Sequence, residues 1–215
     1  MIIFSISIGK SQTIKKPKNN TSSIVRFTEN KNQWESHIAF RAQLDGGAMF
    51  IERNGKLTFH QYDKDYYASK HLGKTSKQQF KFHAYQVNFI GSNTDTKITS
   101  SDMFPDYENF FIGKNQTNWA SQVHHYSEIK LNNLYNHIDA IYQGGNQSLK
   151  YNFIVKPHGN PNDIQINYIG VDKIKLKNGA LHIYTSLTES IEEKPFIYQI
   201  IQEDTIEIPS KFILE

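Results

Sequence analysis

From Arg26 onward the chain alternates apolar and polar residues with a period of two, in short runs separated by turn residues. Ile38, Phe40, Ala42 and Leu44 take every second position, which in an extended backbone places them on one face of a sheet. "FIERNGKLTFHQY" (50–62) then sets Asn54-Gly55 between two such runs. Both central residues of a type I′ turn need φ > 0, which Asn and Gly tolerate best, so a β-hairpin is predicted there. Asn178-Gly179, inside "KIKLKNGALHIYT", predicts a second hairpin, and Gly46-Gly47 a further turn or bulge. In "FKFHAYQVNFIG" (80–91) the apolar set moves from Phe80, Phe82 and Ala84 to Tyr85, Val87 and Phe89. A β-bulge near Ala84 would produce that one-residue slip. "LKYNFIV" (149–155) points Leu149, Tyr151, Phe153 and Val155 one way, and "DIQINYIG", "FIYQIIQ", "TIEIP" and "KFILE" carry the pattern to the last residue.

Only "PDYENFFIGKNQTNWASQV" (105–123) breaks the period, and it has room for one short helix. Many short strands with regular turn signals predict an all-β chain: a β-sandwich of short antiparallel strands with at most one or two short helices. Residues 26–215 read as a single all-β domain, with 115–122 as the place where two packed β lobes would divide. Ending inside an apparent strand suggests that a larger protein would continue.

The N-terminal stretch follows different rules. "MIIFSISIGKSQ" (1–12) pairs an apolar run, Ile2 to Ile8, with Gly9-Lys10-Ser11, a short hydrophobic region and a small-x-small cleavage pattern. This reads as a signal-peptide remnant, with a disordered or strand-forming terminus as the alternative. The run is too short to span a bilayer, and nothing else is apolar for long enough to be a membrane helix. Residues 13–25, polar and basic, lack a periodic apolar face and read as a flexible leader. Everything before about Ser23 is therefore expected to add nothing to stability.

Composition supports the β reading and narrows the chemistry. Of 215 residues, 38% are apolar and 13% aromatic, so the core leans on Phe, Tyr and Ile, which suit a pleated surface. The absence of cysteine removes disulfides, thiolate metal sites and cysteine nucleophiles together. The formal charge is +3, and Arg stands only at Arg26, Arg41 and Arg53; the remaining basic residues are dispersed lysines. Nucleic-acid readers favour clustered charge and the arginine fork, so no nucleic-acid partner is expected.

The search for chemistry finds candidates without a constellation. His124 and His125 are neighbours, so on a strand they face opposite sides and cannot chelate one ion. His137 and Asp139 would share a face, and His158 follows a proline, but no third ligand stands at a diagnostic spacing for zinc. "YDKDYY" (62–67) and "SNTDT" (92–96) carry too few oxygens for calcium and read as polar turns. No nucleophile elbow, P-loop or dinucleotide fingerprint occurs. Asp139, Asp172, Glu189, Glu192 and Glu193 could pair in space; if a hydrolytic site exists, Asp139 or Glu192-Glu193 would carry it. Trp34 and Trp119 lie outside clean alternation, where each could close the end of a sandwich or meet a ligand.

"FTENKNQW…IAFRAQLDGGAMFIERNGKLTFHQYD" resembles the beginning of an extracellular domain family of unassigned function. That family occurs near the N-terminus of large Bacteroidota surface proteins, including gliding-motility-associated and type IX secreted proteins. It also precedes β-propeller-type repeats in other bacterial proteins. The likeness continues through "NFFIGKNQTNWASQVHHYSEIKLNNLYNHIDAIYQGGNQSLKYNFIVKPHGNPNDIQINYIGVDKI" and "GALHIYTSLTESIEEKPFIYQII". The family pattern favours Gly where Asn32 stands and Asp where Asn152 stands. It offers no catalytic residue to carry over. It implies export, cell-surface or extracellular residence, and a place at the front of a longer adhesin-like or repeat protein.

The function expected from these readings is a non-enzymatic extracellular module with no cofactor and no metal. Its partners would be other domains of a larger surface protein and surface glycans. A carbohydrate-binding β-sandwich and an accessory domain of a secreted hydrolase are the alternatives. An exposed Tyr or Trp on a concave face would favour the first of these, converging carboxylates in a cleft the second.

Overall fold

The computed structural model describes residues 1–10, 24–63, 66, 79–146, 148–202 and 204–215. The strands in chain order are β1 (Ile2–Lys10), β2 (Phe27–Glu29), β3 (Ile38–Leu44), β4 (Gly47–Glu52), β5 (Leu57–Tyr62) and β6 (Phe82–Phe89). They continue with β7 (Lys97–Phe110), β8 (Ala120–Tyr135), β9 (Ile138–Gly144), β10 (Leu149–Val155) and β11 (Ile166–Ile169). The last are β12 (Lys173–Lys177), β13 (Ala180–Tyr184), β14 (Glu189–Glu192), β15 (Phe196–Ile201) and β16 (Asp204–Ile208). Two single 3₁₀ turns, Gln116–Asn118 and Pro161–Asp163, lie between them. The chain is all-β, as its alternation requires.

Among the described residues every strand pairing is antiparallel. One continuous sheet runs β11-β6-β5-β4-β3-β2-β8-β9-β10-β1-β14-β13-β12, with β7 added on β8 and the β15–β16 hairpin on β1. The sheet folds over so that its two halves share one interior. Met49, Ile51, Leu57, Phe59, Tyr85, Val87 and Phe89 from β4–β6 meet Ile129, Leu131, Tyr142, Tyr151 and Phe153 from β8–β10. Phe89 and Phe153 touch across the layers, ring centroids 6.0 Å apart. Fully burying such a side chain is worth about 1.5–3 kcal/mol, so this shared core is the main stabilising feature.

Both predicted hairpins are present, with one difference in turn type. Asn178 and Gly179 both have positive φ (51° and 83°) and form a two-residue loop, since Lys177 pairs with Ala180. At the other turn only Gly55 is positive (86°). The Gly55 amide donates to the Glu52 carbonyl, and the Glu52 amide donates to the Lys56 carbonyl. The loop is thus three residues long, with the left-handed glycine last, the second common hairpin solution.

The bulge expected near Ala84 is absent. β5 and β6 pair without a shift from Leu57↔Val87 to Tyr62↔Phe82. Tyr85, Val87 and Phe89 face the core, whereas Phe82 is 51% exposed on the other face. Register shifts occur elsewhere, in β3 between Ile38 and Phe40, in β7 between Met103 and Tyr107, and twice in the long β8, where Gln122 and Asn133 take φ of 52° and 55°. Each of the two in β8 lets the inward set slip by one residue, giving buried Ala120, then Val123 through Leu131, then Leu134. At 16 residues β8, with the 14-residue β7, departs from the uniformly short strands that were expected. Residues 115–122, where two lobes would divide, form the tip of the β7–β8 hairpin.

The N-terminal run takes the strand-forming alternative. Residues 2–10 form β1, which pairs with β10 along seven positions, from Ile2↔Val155 to Ile8↔Leu149. On its other edge β1 pairs with β14 and β15. Ile2 and Phe4 pack on the core. The apolar run therefore adds a strand to the sheet, because its alternation matches that of β10. Of the stretch read as a flexible leader, 13–23 lies outside the described residues. Ile24 bridges to Asn146, and Val25 is buried, its amide donating to the Gly145 carbonyl.

Candidate functional site

The two carboxylates best placed for chemistry are both sealed in the molecule. Asp139 on β9 is wholly buried. Lys130 Nζ and Lys156 Nζ each lie 2.8 Å from one of its oxygens, and the Asn133 amide donates to Oδ1 at 2.8 Å. Burial pushes this carboxyl up, but the two lysines and the amide outweigh it and hold it below the usual carboxylate range. A carboxylate so held is a structural anion. His137, its expected partner, sits instead at a turn with φ of 60°, its ring 6.1 Å from that of His158.

Glu192 on β14 is buried between the layers. Tyr151 Oη donates to it at 2.7 Å and Tyr168 Oη at 2.6 Å, from β10 and β11 respectively. Burial raises its pKa, and the two hydroxyls only partly offset that. Burial likewise pushes the Tyr151, Tyr168 and Tyr142 hydroxyls up, with the Glu192 charge adding to it. Nearby, Thr185 Oγ1 donates to Gln61 Oε1 and Gln61 Nε2 to Ser190 Oγ, tying β5 to β14. Glu193 faces the opposite, exposed side. Glu189 pairs with His182 (2.6 Å) and Lys177 (3.7 Å), and the Asp172 amide donates to the Tyr184 carbonyl. The structure therefore does not bring these carboxylates together in a cleft.

The histidines and polar turns are similarly engaged. The His124 amide donates to Glu29 Oε1 at 2.9 Å, and its ring stands 6.0 Å from that of Tyr107. His125 is buried, with Nδ1 3.0 Å from Thr28 Oγ1. Thr96 Oγ1 donates to the Asn93 carbonyl, closing the turn at 92–96. Of the 62–67 stretch, Lys64, Asp65 and Tyr67 lie outside the described residues. No group of three or more metal-ligating side chains occurs among the described residues.

The outer face is where ligand-type features collect. Trp34 leads a row of rings across neighbouring strands: Trp34–Phe50 at 6.4 Å, Phe50–His60 at 4.8 Å and His60–Phe82 at 5.1 Å. Antiparallel register explains the row, since Arg41 faces Phe50 on one side and His60 lies diagonal to Phe50 on the other. Phe110 meets Trp34 edge-on at 5.7 Å, and the Arg41 guanidinium lies 5.8 Å over the indole. Burial, then the Arg41 charge, hold His60 below the ordinary imidazole value, so it is neutral at pH 7.

Beside Trp34 opens a cleft of about 460 Å³. One wall is the loop Asn32–Ser36; the other is Thr117 and Asn118 at the β7–β8 tip. Both walls are fixed by their own side chains. Asn30 Nδ2 donates to the carbonyls of Trp34, Glu35 and Ile38, and its Oδ1 accepts from the Asn32 and Trp34 amides. Gln33 Nε2 donates to the Glu29 carbonyl, and Lys31 Nζ reaches the Gln122 carbonyl on β8. Across the cleft Asn115 Oδ1 accepts from the Thr117 amide and hydroxyl. At the same tip Phe111 and Ile112 are 59% and 75% exposed, and Trp119 packs 5.6 Å from Phe111.

Trp34 is half-buried against Phe50 and Phe110, and Trp119 is 37% exposed beside the β7–β8 tip. Sequence reasoning missed Phe50, His60 and Phe82 as a surface row, because it assigned aromatics in alternating runs to the core. The signal was there in phase: these three lie on the positions opposite to Ile51, Phe59 and Val87.

Residues 27–215 match the model of the DUF7948 family, described as a domain of unknown function. No curated protein and no solved structure matches the chain. No described helix is long and apolar enough to cross a membrane, which leaves membrane-spanning strands unaddressed.

Proposed function

We propose, on the premise that the chain belongs to this family, that the domain is a non-catalytic binding module displayed outside the cell. Its place would be near the front of a larger Bacteroidota surface protein, of the gliding-motility-associated, type IX secreted or β-propeller-repeat kind. The observation that carries this reading is where the polar chemistry sits. Catalysis needs converging groups open to substrate, and the buried acids Asp139 and Glu192 are each engaged by internal partners. The open features, a preorganised polar cleft and an aromatic row, are of the kind that hold a ligand without transforming it. An accessory role beside a hydrolase would need paired acids in that cleft, and it holds one, Glu35.

The test is a screen of purified protein against glycan and peptide substrates for turnover and for retention, repeated with Asp139→Asn and Glu192→Gln. The expected outcome is retention without turnover. Turnover abolished by either substitution would overturn the reading. Surface labelling of the native full-length protein in intact cells checks the location, and an intracellular pool alone would refute it.

A further inference from the structure

We infer that the cleft between Asn32–Ser36 and Thr117-Asn118 is a subsite for a neutral glycan, with Trp34 as its stacking surface. The inference rests on the binding-module reading and names its ligand class. Its argument is the kind of group that lines the cleft. Asn32 and Asn118 present amides, Ser36 and Thr117 hydroxyls, and Glu35 a carboxylate. Amides and carboxylates can pair with vicinal hydroxyls two at a time, donating and accepting as needed. An indole offers an apolar plane for the C–H face of a pyranose ring and a polar edge beside it.

Other ligand classes fit less well. Glu35 is the one charged residue lining the cleft, and the Arg41 guanidinium over the indole is a nearby countercharge, so the anionic controls below decide whether a phosphate, sulfate or uronate competes. Trp34 is the one apolar side chain there, too little for a lipid or an aliphatic peptide side chain. A single carboxylate is too few for a divalent cation. No strand edge opens into the cleft, since its walls are a loop and a 3₁₀ turn, so a peptide could not extend the sheet there.

Preorganisation is the second support. The side chains of Asn30, Gln33 and Asn115 are spent on holding the backbone of the two walls. By contrast, the Asn32 side-chain amide, the Glu35 carboxylate and the Ser36 hydroxyl carry no hydrogen bond among the described residues. Rigid walls with unspent polar groups avoid the ordering cost that weakens flexible sites. Beyond Trp34, the row Phe50–His60–Phe82 continues the apolar surface in one direction, a track along which further sugar units could lie.

The experiment uses the full chain on an array of neutral hexasaccharides in the β-1,4-glucose, -mannose, -xylose and -N-acetylglucosamine series. Sulfated and uronate-bearing oligosaccharides serve as controls, and retained members are titrated calorimetrically. Asn32→Gly is the decisive variant: Asn32 has φ of 83°, which glycine accepts without strain, so the amide is lost while the loop stays. Glu35→Gln and Trp34→Ala accompany it, each with a thermal midpoint. The expected result is at least one neutral series retained, weakened about tenfold by Asn32→Gly at unchanged midpoint, the effect of losing one or two hydrogen bonds. Trp34→Ala should abolish retention. No retention of any neutral series overturns the inference. So does binding indifferent to both Asn32→Gly and Glu35→Gln, or preference for the anionic controls. Indifferent binding that instead responds to Phe111→Ala or Phe82→Ala would leave the binding-module reading standing while removing the cleft; turnover lost in Asp139→Asn or Glu192→Gln would remove the module reading itself.

Discussion

Asn32 sits at φ of 83°, a left-handed conformation that favours glycine. The physical reason is the Asn30 side chain, whose Oδ1 draws in the amides of both Asn32 and Trp34 and so curls the loop tightly. Gly47 is glycine for another reason: a Cβ there would stand 2.1 Å from the His60 carbonyl oxygen on β5. Gly47→Ala must push the two strands apart, and a loss of about 1–3 kcal/mol is expected in a denaturant titration. The two buried acids should respond to pH with opposite signs. The Asp139 pKa is depressed in the folded state, so its stabilisation is complete above the ordinary carboxylate range and is lost as pH falls through the folded value. The Glu192 pKa is raised, so the folded state takes up its proton first and this group adds stability as pH falls from neutral. Denaturation from pH 7 to pH 3 should therefore show wild type losing its advantage over Asp139→Asn and gaining on Glu192→Gln. Parallel curves for both pairs would refute the assignment. At pH 7, Asp139→Asn should cost about 1–2 kcal/mol, because the Asn133 amide and two half-exposed lysines lose a charged acceptor while the lysines keep access to water.

Among the elements, β1 departs furthest from what its sequence suggested. A short apolar run beside Gly9-Lys10-Ser11 reads as an export signal when taken alone, and nothing local distinguishes that from a strand. Its role in the sheet depends on a neighbour about 150 residues away, β10, whose Phe153 and Val155 lie opposite Phe4 and Ile2. Removing residues 1–10 from the purified chain should lower the thermal midpoint and speed hydrogen exchange at the β10 amides that face β1. An unchanged midpoint would restore the view that the segment adds nothing. β8 shows a milder form of the same limit. Its bulges at Gln122 and Asn133 occur where the inward set changes phase, and no glycine marks either place. By contrast, the apparent slip in β6 is no slip at all: Phe82 is outward because His60 offers it a ring to pack against.

At the scale of the molecule, the sheet is one path closed by distant pairings, Phe27 with Tyr126 and Ile2 with both Val155 and Gln199. Such non-local contacts must pay loop-closure entropy before they reward it, so refolding should take about seconds or longer. Because both layers share one core, unfolding should be a single cooperative transition by fluorescence and circular dichroism alike. Two resolved transitions would show separable lobes. The sequence by itself determined the all-β class, the hairpins at Asn54-Gly55 and Asn178-Gly179, and the inward faces of β3 and β10. These are local properties: alternation with period two and the φ preference of Asn-Gly are written in adjacent residues. Only the tertiary structure decided which acids are sealed, that β1 belongs to the sheet, and that Trp34 meets Asn118 across a cleft. Those depend on which strands become neighbours and how the sheet folds over itself, and residues 30–37 carry no local record of the hairpin tip that comes to face them some 80 positions later.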